Sequence, residues 1–185
     1  SVLIQGASSG VGLMAMQIAR YMGAGQVFGT SSNEGRRSRL AEFGADAALD
    51  PKDPSWVDAV LAATGGEGVD LIVDQVSGPV ANQNLAATRV LGRIVNVGRL
   101  GGGMAEFNFD LHALRRIEYI GVTFRTRSPE EIRSLVAAVE RDLGAAIKEG
   151  MLSLPIDKVF ALSEASSALS YMEANQHFGK IVLKV

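Results

Sequence analysis

A chain of 185 residues, 47% hydrophobic and 21% charged, can bury one sizeable core and has the composition of an ordinary folded domain. Its formal net charge of −2 at pH 7 argues against electrostatic nucleic-acid binding as the main activity, and its lack of cysteine excludes disulfides and thiolate metal sites within the chain. No apolar run is long enough to span a bilayer and no secretion or transit signal stands at the N-terminus, which is the pattern of a cytoplasmic protein with no membrane partner.

Ser1-Val2-Leu3-Ile4-Gln5 reads as a first strand, and the glycine-rich segment Gly6-Ala7-Ser8-Ser9-Gly10-Val11-Gly12 follows it. Behind that segment Val11, Met14, Ala15, Ile18 and Met22 recur at helical spacing and predict an amphipathic helix buried on that stripe. Gln26 to Thr30 is a second strand. Asn33 caps a helix running through Phe43, which Gly44 ends. Ala47 to Leu49 is a short third strand. Asp53-Pro54 reads as N-cap and first position of a helix that buries Trp56, Val57, Val60 and Leu61 and breaks at Gly65-Gly66. Val69 to Asp74 is the fourth strand, Pro79 to Thr88 a helix, and Val90 to Val97 the fifth strand.

Leu100 to Asn108 is glycine-rich and irregular, and Asp110 to Arg116 is a short helix. Glu118 to Thr123 is the sixth strand. Ile132, Leu135, Val136, Val139, Leu143 and Ile147 mark a long amphipathic helix stopped by Gly150. Near-continuous apolar strands alternating with helices predict an α/β fold: a Rossmann-type, doubly wound, six-stranded parallel sheet with helices on both faces, spanning residues 1–150. After that the rhythm changes. Ile156 to Phe160 is strand-like, Ser163 caps a helix reaching Glu173, and Lys180 to Val185 is a closing strand, none of which continues the sheet.

A strand, a glycine turn and a helix N-terminus together make an anion site. Glycines let the backbone approach a pyrophosphate, and the first-turn N–H groups and the helix dipole stabilise its charge. Gly6, Ser9, Gly10, Val11 and Gly12 are therefore candidate cofactor ligands. An NAD-binding domain of this kind commonly ends its second strand in an acid that binds the ribose 2′-OH. Here the strand ends Thr30-Ser31-Ser32, followed by Asn33-Glu34-Gly35-Arg36-Arg37. Small hydroxyl residues leave room for a 2′-phosphate and an arginine pairs with one, so the pattern favours NADPH, through Ser31, Ser32 and Arg36. His112 and His177 have no metal-ligand spacing and read as surface or packing residues, and no metal site is expected.

GASSGVG is close to the turn of short-chain dehydrogenases, but their chemistry needs a Lys four residues after a catalytic Tyr. Tyr21, Tyr119 and Tyr171 are followed at that spacing by Gly25, Thr123 and Asn175. More of the chain resembles the cofactor-binding half of medium-chain dehydrogenases, especially zeta-crystallin-like quinone oxidoreductases. The resemblance runs in order through Val2 to Leu13, Phe43-Gly44-Ala45-Asp46, Thr64 to Asp70, Gly92 to Gly98, Tyr119 to Thr123 and Phe178 to Leu183. Ser9 stands where those relatives usually carry glycine.

The resemblance implies a cytoplasmic, NADPH-dependent enzyme passing hydride to a quinone or an α,β-unsaturated carbonyl compound. Val97, Gly98, Arg99, Thr123, Phe124 and Arg125 would lie at the nicotinamide, and Arg36 would be the basic phosphate ligand. It also implies that a GroES-like catalytic domain belongs with this chain, that residues 151–185 return to it, and that no catalytic side chain is expected here. Two edge strands, Glu118 to Thr123, would pair in a homodimer. The resemblance leaves three alternatives open: an enoyl reductase module of a polyketide or fatty-acid synthase, a zinc-type alcohol dehydrogenase, and a non-catalytic nucleotide-binding or structural protein.

Overall fold

In a computed structural model, which describes residues 1–175 and 177–185, the six expected strands form one all-parallel sheet. They are β1 (Val2–Gln5), β2 (Val27–Thr30), β3 (Ala47–Leu49), β4 (Val69–Asp74), β5 (Thr88–Asn96) and β6 (Glu118–Gly121), in the order β3-β2-β1-β4-β5-β6. The chain winds outward from β1 to β3, then crosses back to place β4 beside β1. That reversal opens a crevice beyond the carboxyl ends of β1 and β4, where Gln5 and Asp74 are register partners.

Successive strand residues feed opposite faces of the sheet. Leu3 and Phe28 join Trp56, Val60, Ile72, Leu85 and Ile94 on one side. Ile4 and Val27 join Ala7, Leu13, Met16 and Leu40 on the other. All four residues of β2 are buried, which is why that strand reads as an unbroken small and apolar run.

The helices are α1 (Gly10–Tyr21), α2 (Glu34–Arg37), α3 (Trp56–Ala63), α4 (Ala81–Ala87), α5 (Phe109–Arg115), α6 (Pro129–Lys148) and α7 (Ala165–Glu173). Several differ from the expected bounds. α1 buries Gly12, Leu13 and Met16 rather than the stripe beginning at Val11, which is 49% exposed. The helix is apolar nearly all round, and the side carrying Gly12 can approach the sheet most closely. The single helix expected up to Phe43 splits into α2 and a 3-10 turn over Leu40–Phe43, closed by left-handed Gly44. Gly35 and Ser38 are weak helix formers, and of the expected helix only Leu40 is fully buried, with Phe43 partly buried against the same cluster, so little sustains a continuous helix.

α3 starts later than expected, because the Asp53 carboxylate accepts from Ser55 N and Oγ in a local turn instead of capping the helix. β5 starts earlier, at Thr88, and its register with β4 shifts before Arg93, where Leu91 takes a positive φ of 61°. β6 ends at Gly121. Ser163 lies inside a 3-10 turn, and it is Glu164 that accepts from Ala161 N.

β7 (Ile156–Ala161) and β8 (Lys180–Lys184) pair in parallel as a separate two-stranded sheet, apart from the main one as the broken rhythm implies. Phe178 anchors this unit, packing edge-on against Phe43 at 5.6 Å, and Gly179 bridges to Ser9 in the glycine turn. α6 is capped by Ser128 and Glu131, yet of its expected apolar stripe only Leu143 is buried, together with Ala146. Val136 stays 61% exposed. No helix of the described residues is long and apolar enough to cross a membrane.

Candidate functional site

The glycine turn closes between β1 and α1. Gly6 has φ +69°, the left-handed region where glycine carries no penalty. A Cβ on Gly12 would lie 2.6 Å from Ala7 Cα, Ala7 O and Gly6 O, so this position holds helix and turn in backbone contact. Ser9 is the N-cap of α1: its Oγ accepts from Gly12 N at 3.0 Å and donates to Gln75 Oε1 at 2.9 Å. That hydroxyl ties the glycine turn to the β4 turn, and its one hydrogen is committed to Gln75. Val11 N meets no acceptor among the described residues, while Gly10 lies against the bridge that joins Ser9 to Gly179.

One site residue was missed by sequence reasoning. A Cβ built on Gly10 would lie 2.8 Å from Lys180 Cε and 3.1 Å from its Nζ, so the Lys180 side chain lies over the start of α1. Lys180 has no carboxylate partner among the described residues. An ammonium beside the positive end of a helix is repulsive on its own, and an anion between them satisfies both. The only sequence signal was the matched Phe178 to Leu183 stretch, which says nothing of where Lys180 folds. Glycine cradle, helix start and lysine together fit a pyrophosphate.

At the end of β2 the structure sorts the candidates. Ser31 is buried, its Oγ facing Ser8 Oγ at 3.1 Å, so this hydroxyl is turned into the protein. Ser32 is exposed. Arg37 binds Ser31 O and the Asp50 carboxylate, and Arg39 lies 4.1 Å over the Phe178 ring. Arg36 reaches across the β2 end and donates from Nη1 to Asn175 Oδ1 at 2.9 Å, while its buried Nε has no partner among the described residues. Glu34 is exposed in the first turn of α2. A buried guanidinium N–H without an acceptor, beside an exposed serine and no acid, suits a phosphate group.

On the other side of the crevice, Val97 N and Gly98 N both donate to Asp74 O, and Gly98 O accepts from Ser77 Oγ. A Cβ on Gly98 would stand 2.8 Å from Gln75 O. The polar groups of Gly98 therefore seat the turn after β5 on the turn after β4, rather than facing a ligand. Arg99, Thr123, Phe124 and Arg125 are exposed at the ends of β5 and β6, and Thr123 Oγ1 accepts from Arg125 N.

An open groove of about 530 Å³ adjoins them, lined by Ser77, Asn96, Arg99, Phe107, His112 and Tyr119 among others. Burial and the charge of Asp74 hold the Tyr119 phenol above its ordinary range, with Arg99 acting against them. Among the described residues, no cluster of His, Asp or Glu could hold a metal ion.

Residues 10–141 match the family model described as zinc-binding dehydrogenase. A mycocerosic acid synthase-like polyketide synthase of Mycolicibacterium smegmatis is 31% identical over 188 residues, covering 100% of this chain and 9% of that protein. Among solved structures, mycobacterial Rv1454c complexed with NADPH superposes with a TM-score of 0.83 at 25% identity, over 100% of this chain and 56% of the other. The CurK enoyl reductase does so with a TM-score of 0.79 at 26% identity, over 99% and 54%. The chain thus spans about half of each of these structures and a small part of the synthase. With its sheet order, its glycine turn and this match agreeing, the chain belongs to the zinc-binding dehydrogenase family and is the cofactor-binding half of a medium-chain dehydrogenase/reductase.

Proposed function

We propose that the chain binds NADPH across the β1–β4 crevice and serves an oxidoreductase that reduces a quinone or an α,β-unsaturated carbonyl compound. The observation that carries this reading is the β2 end, where Ser32 and the unpartnered Nε of Arg36 replace the acid expected of an NAD site. Gly10, Val11 and Lys180 would hold the pyrophosphate, and Ser32 and Arg36 the 2′-phosphate. Val97, Arg99 and the segment Thr123 to Arg125 would flank the nicotinamide. When bound, the dinucleotide supplies the hydride, and this chain's residues orient it. The enoyl reductase reading has its own support, since the polyketide synthase matches the whole chain.

Residues 151–185 are read as the segment returning to a GroES-like catalytic domain. The 185-residue chain alone is expected to bind NADPH, seen as enhanced nicotinamide fluorescence, while its steady-state oxidation with a benzoquinone or an enoyl thioester stays at background. One wall of the reaction cleft is lacking, so the acceptor has nothing to position it. Robust quinone-dependent turnover by the chain alone would refute the half-site reading, and failure to bind NADPH would refute the function itself.

The free edge of β6 supports a homodimer in which two such edges pair about a two-fold axis. Val122 N donates inward to Asn96 O, so by alternation the N–H groups of Tyr119 and Gly121 face outward. Phe107 packs edge-on against both Tyr119 and Phe109, and extends the apolar seam to Phe109, which is 73% exposed. Gly121→Pro removes one outward donor where nothing lies within 4 Å of a Cβ. Light scattering should report a dimer for the parent chain and a monomer for this variant. A monomeric parent at high concentration would discard the paired edge.

A further inference from the structure

A buried hydrogen-bond chain runs beneath the floor of the crevice. Asp74, fully buried at the end of β4, accepts from Val76 N at 2.8 Å and Ser77 N at 2.9 Å through Oδ1. Its Oδ2 accepts from Asn84 Nδ2 at 3.1 Å. Asn84 Oδ1 accepts from Gln5 Nε2 at 2.7 Å, and Gln5 Oε1 accepts from Thr30 Oγ1 at 2.7 Å. Thr30 Oγ1 in turn accepts from Gly6 N at 3.1 Å, in the glycine turn. Gln5, Thr30, Asp74 and Asn84 are all wholly inaccessible to solvent.

The direction of this chain follows from donor and acceptor inventories. A carboxylate only accepts, so Asn84 must present its amide nitrogen to Asp74 and its oxygen to Gln5. Gln5 must then present its nitrogen to Asn84 and its oxygen to Thr30. The Thr30 hydrogen is thereby committed to Gln5, which leaves a lone pair for Gly6 N. One charge on β4 thus dictates the polarity of every bond as far as the glycine turn, while the same carboxylate holds the β4 turn that seats Gly98. No water-accessible group is available to repair an error along the way, which makes any mismatch costly.

We infer that Asp74 is a positioning residue for the cofactor site, acting on the Gly6 turn through Asn84, Gln5 and Thr30 and on the opposite turn through Val76 and Ser77. This rests on the dinucleotide-site reading above. It assigns a role to a carboxylate that makes no contact with the ligand.

The test is a polarity-reversal cycle read by NADPH titration and thermal unfolding of the full chain. Gln5→Glu, read at a pH high enough to ionise the buried acid (protonated, its O–H replaces the lost amide donor), places a carboxylate at each end of Asn84, which has only one donating end, and should weaken NADPH by about tenfold or more and lower Tm. Adding Asp74→Asn reverses the chain. Asn at position 74 donates to Asn84 Oδ1, Asn84 donates to the new Glu, and Val76, Ser77 and Thr30 keep their acceptors. The double variant should therefore regain Tm and more than half of the lost binding free energy. A double variant as impaired as the sum of the singles, or unfolded, overturns the relay, as does a Gln5→Glu protein that binds NADPH normally. If the wild-type chain binds no NADPH, the functional reading fails instead, and the Tm cycle alone still decides whether the relay exists.

Discussion

Gly12→Ala is expected to abolish measurable dinucleotide binding and to lower folding stability by roughly 1–3 kcal/mol or more. The added Cβ meets Ala7 Cα, Ala7 O and Gly6 O, each at 2.6 Å, and all three belong to the backbone. No rotamer change relieves such a contact, so α1 must retreat from β1 or the turn must open. Either movement would displace the start of α1 from the proposed pyrophosphate position. Gly10→Ala is the informative contrast, because its Cβ meets the flexible end of Lys180 rather than backbone. That variant should fold nearly as stably as the parent and lose affinity only through the displaced ammonium. Urea unfolding of both variants checks the ranking. A Gly12→Ala chain as stable as Gly10→Ala would contradict the close helix–turn contact.

The sheet was legible because parallel strands buried on both faces write themselves as short apolar runs, as in β2 and β4. Helix faces were less so. In α1 both the Val11 and the Leu13 stripes are apolar, and the choice between them rests on the approach that Gly12 allows, a tertiary fact. Helix starts failed where side chains made local turns instead of caps, as Asp53 does with Ser55.

Of the candidate site, the glycine turn and Arg36 can be named from the sequence because their chemistry is local. Lys180 cannot, being brought to Gly10 from the far end of the chain through the Ser9–Gly179 bridge. The inward turn of Ser31 toward Ser8 was equally hidden, since a serine's direction at a strand end depends on its neighbours.

Arg36→Ala should weaken NADPH by roughly 1–3 kcal/mol more than it weakens NADH, or about five- to 150-fold in the ratio of their affinities. The loss is that of a charge-assisted contact to the 2′-phosphate, the one group that distinguishes the two cofactors. Arg36 also donates to Asn175, so removing it loosens a contact with the C-terminal segment. That second effect is common to both cofactors and cancels in the ratio of their affinities. Arg36→Lys should retain part of the preference, because the charge remains while the guanidinium geometry is lost. Equal losses for both cofactors would remove Arg36 from the phosphate site.

The most direct measurement of the central claim is calorimetric titration of the wild-type chain with NADPH and with NADH under the same buffer and salt. The arrangement of Gly10, Val11 and Lys180 around one anion, and of Ser32 and Arg36 around a second, predicts saturable one-site binding of both. NADPH should bind tighter by at least about tenfold, the value of one charge-assisted contact. Equal affinities, tighter NADH, or no saturable heat with NADPH would contradict it.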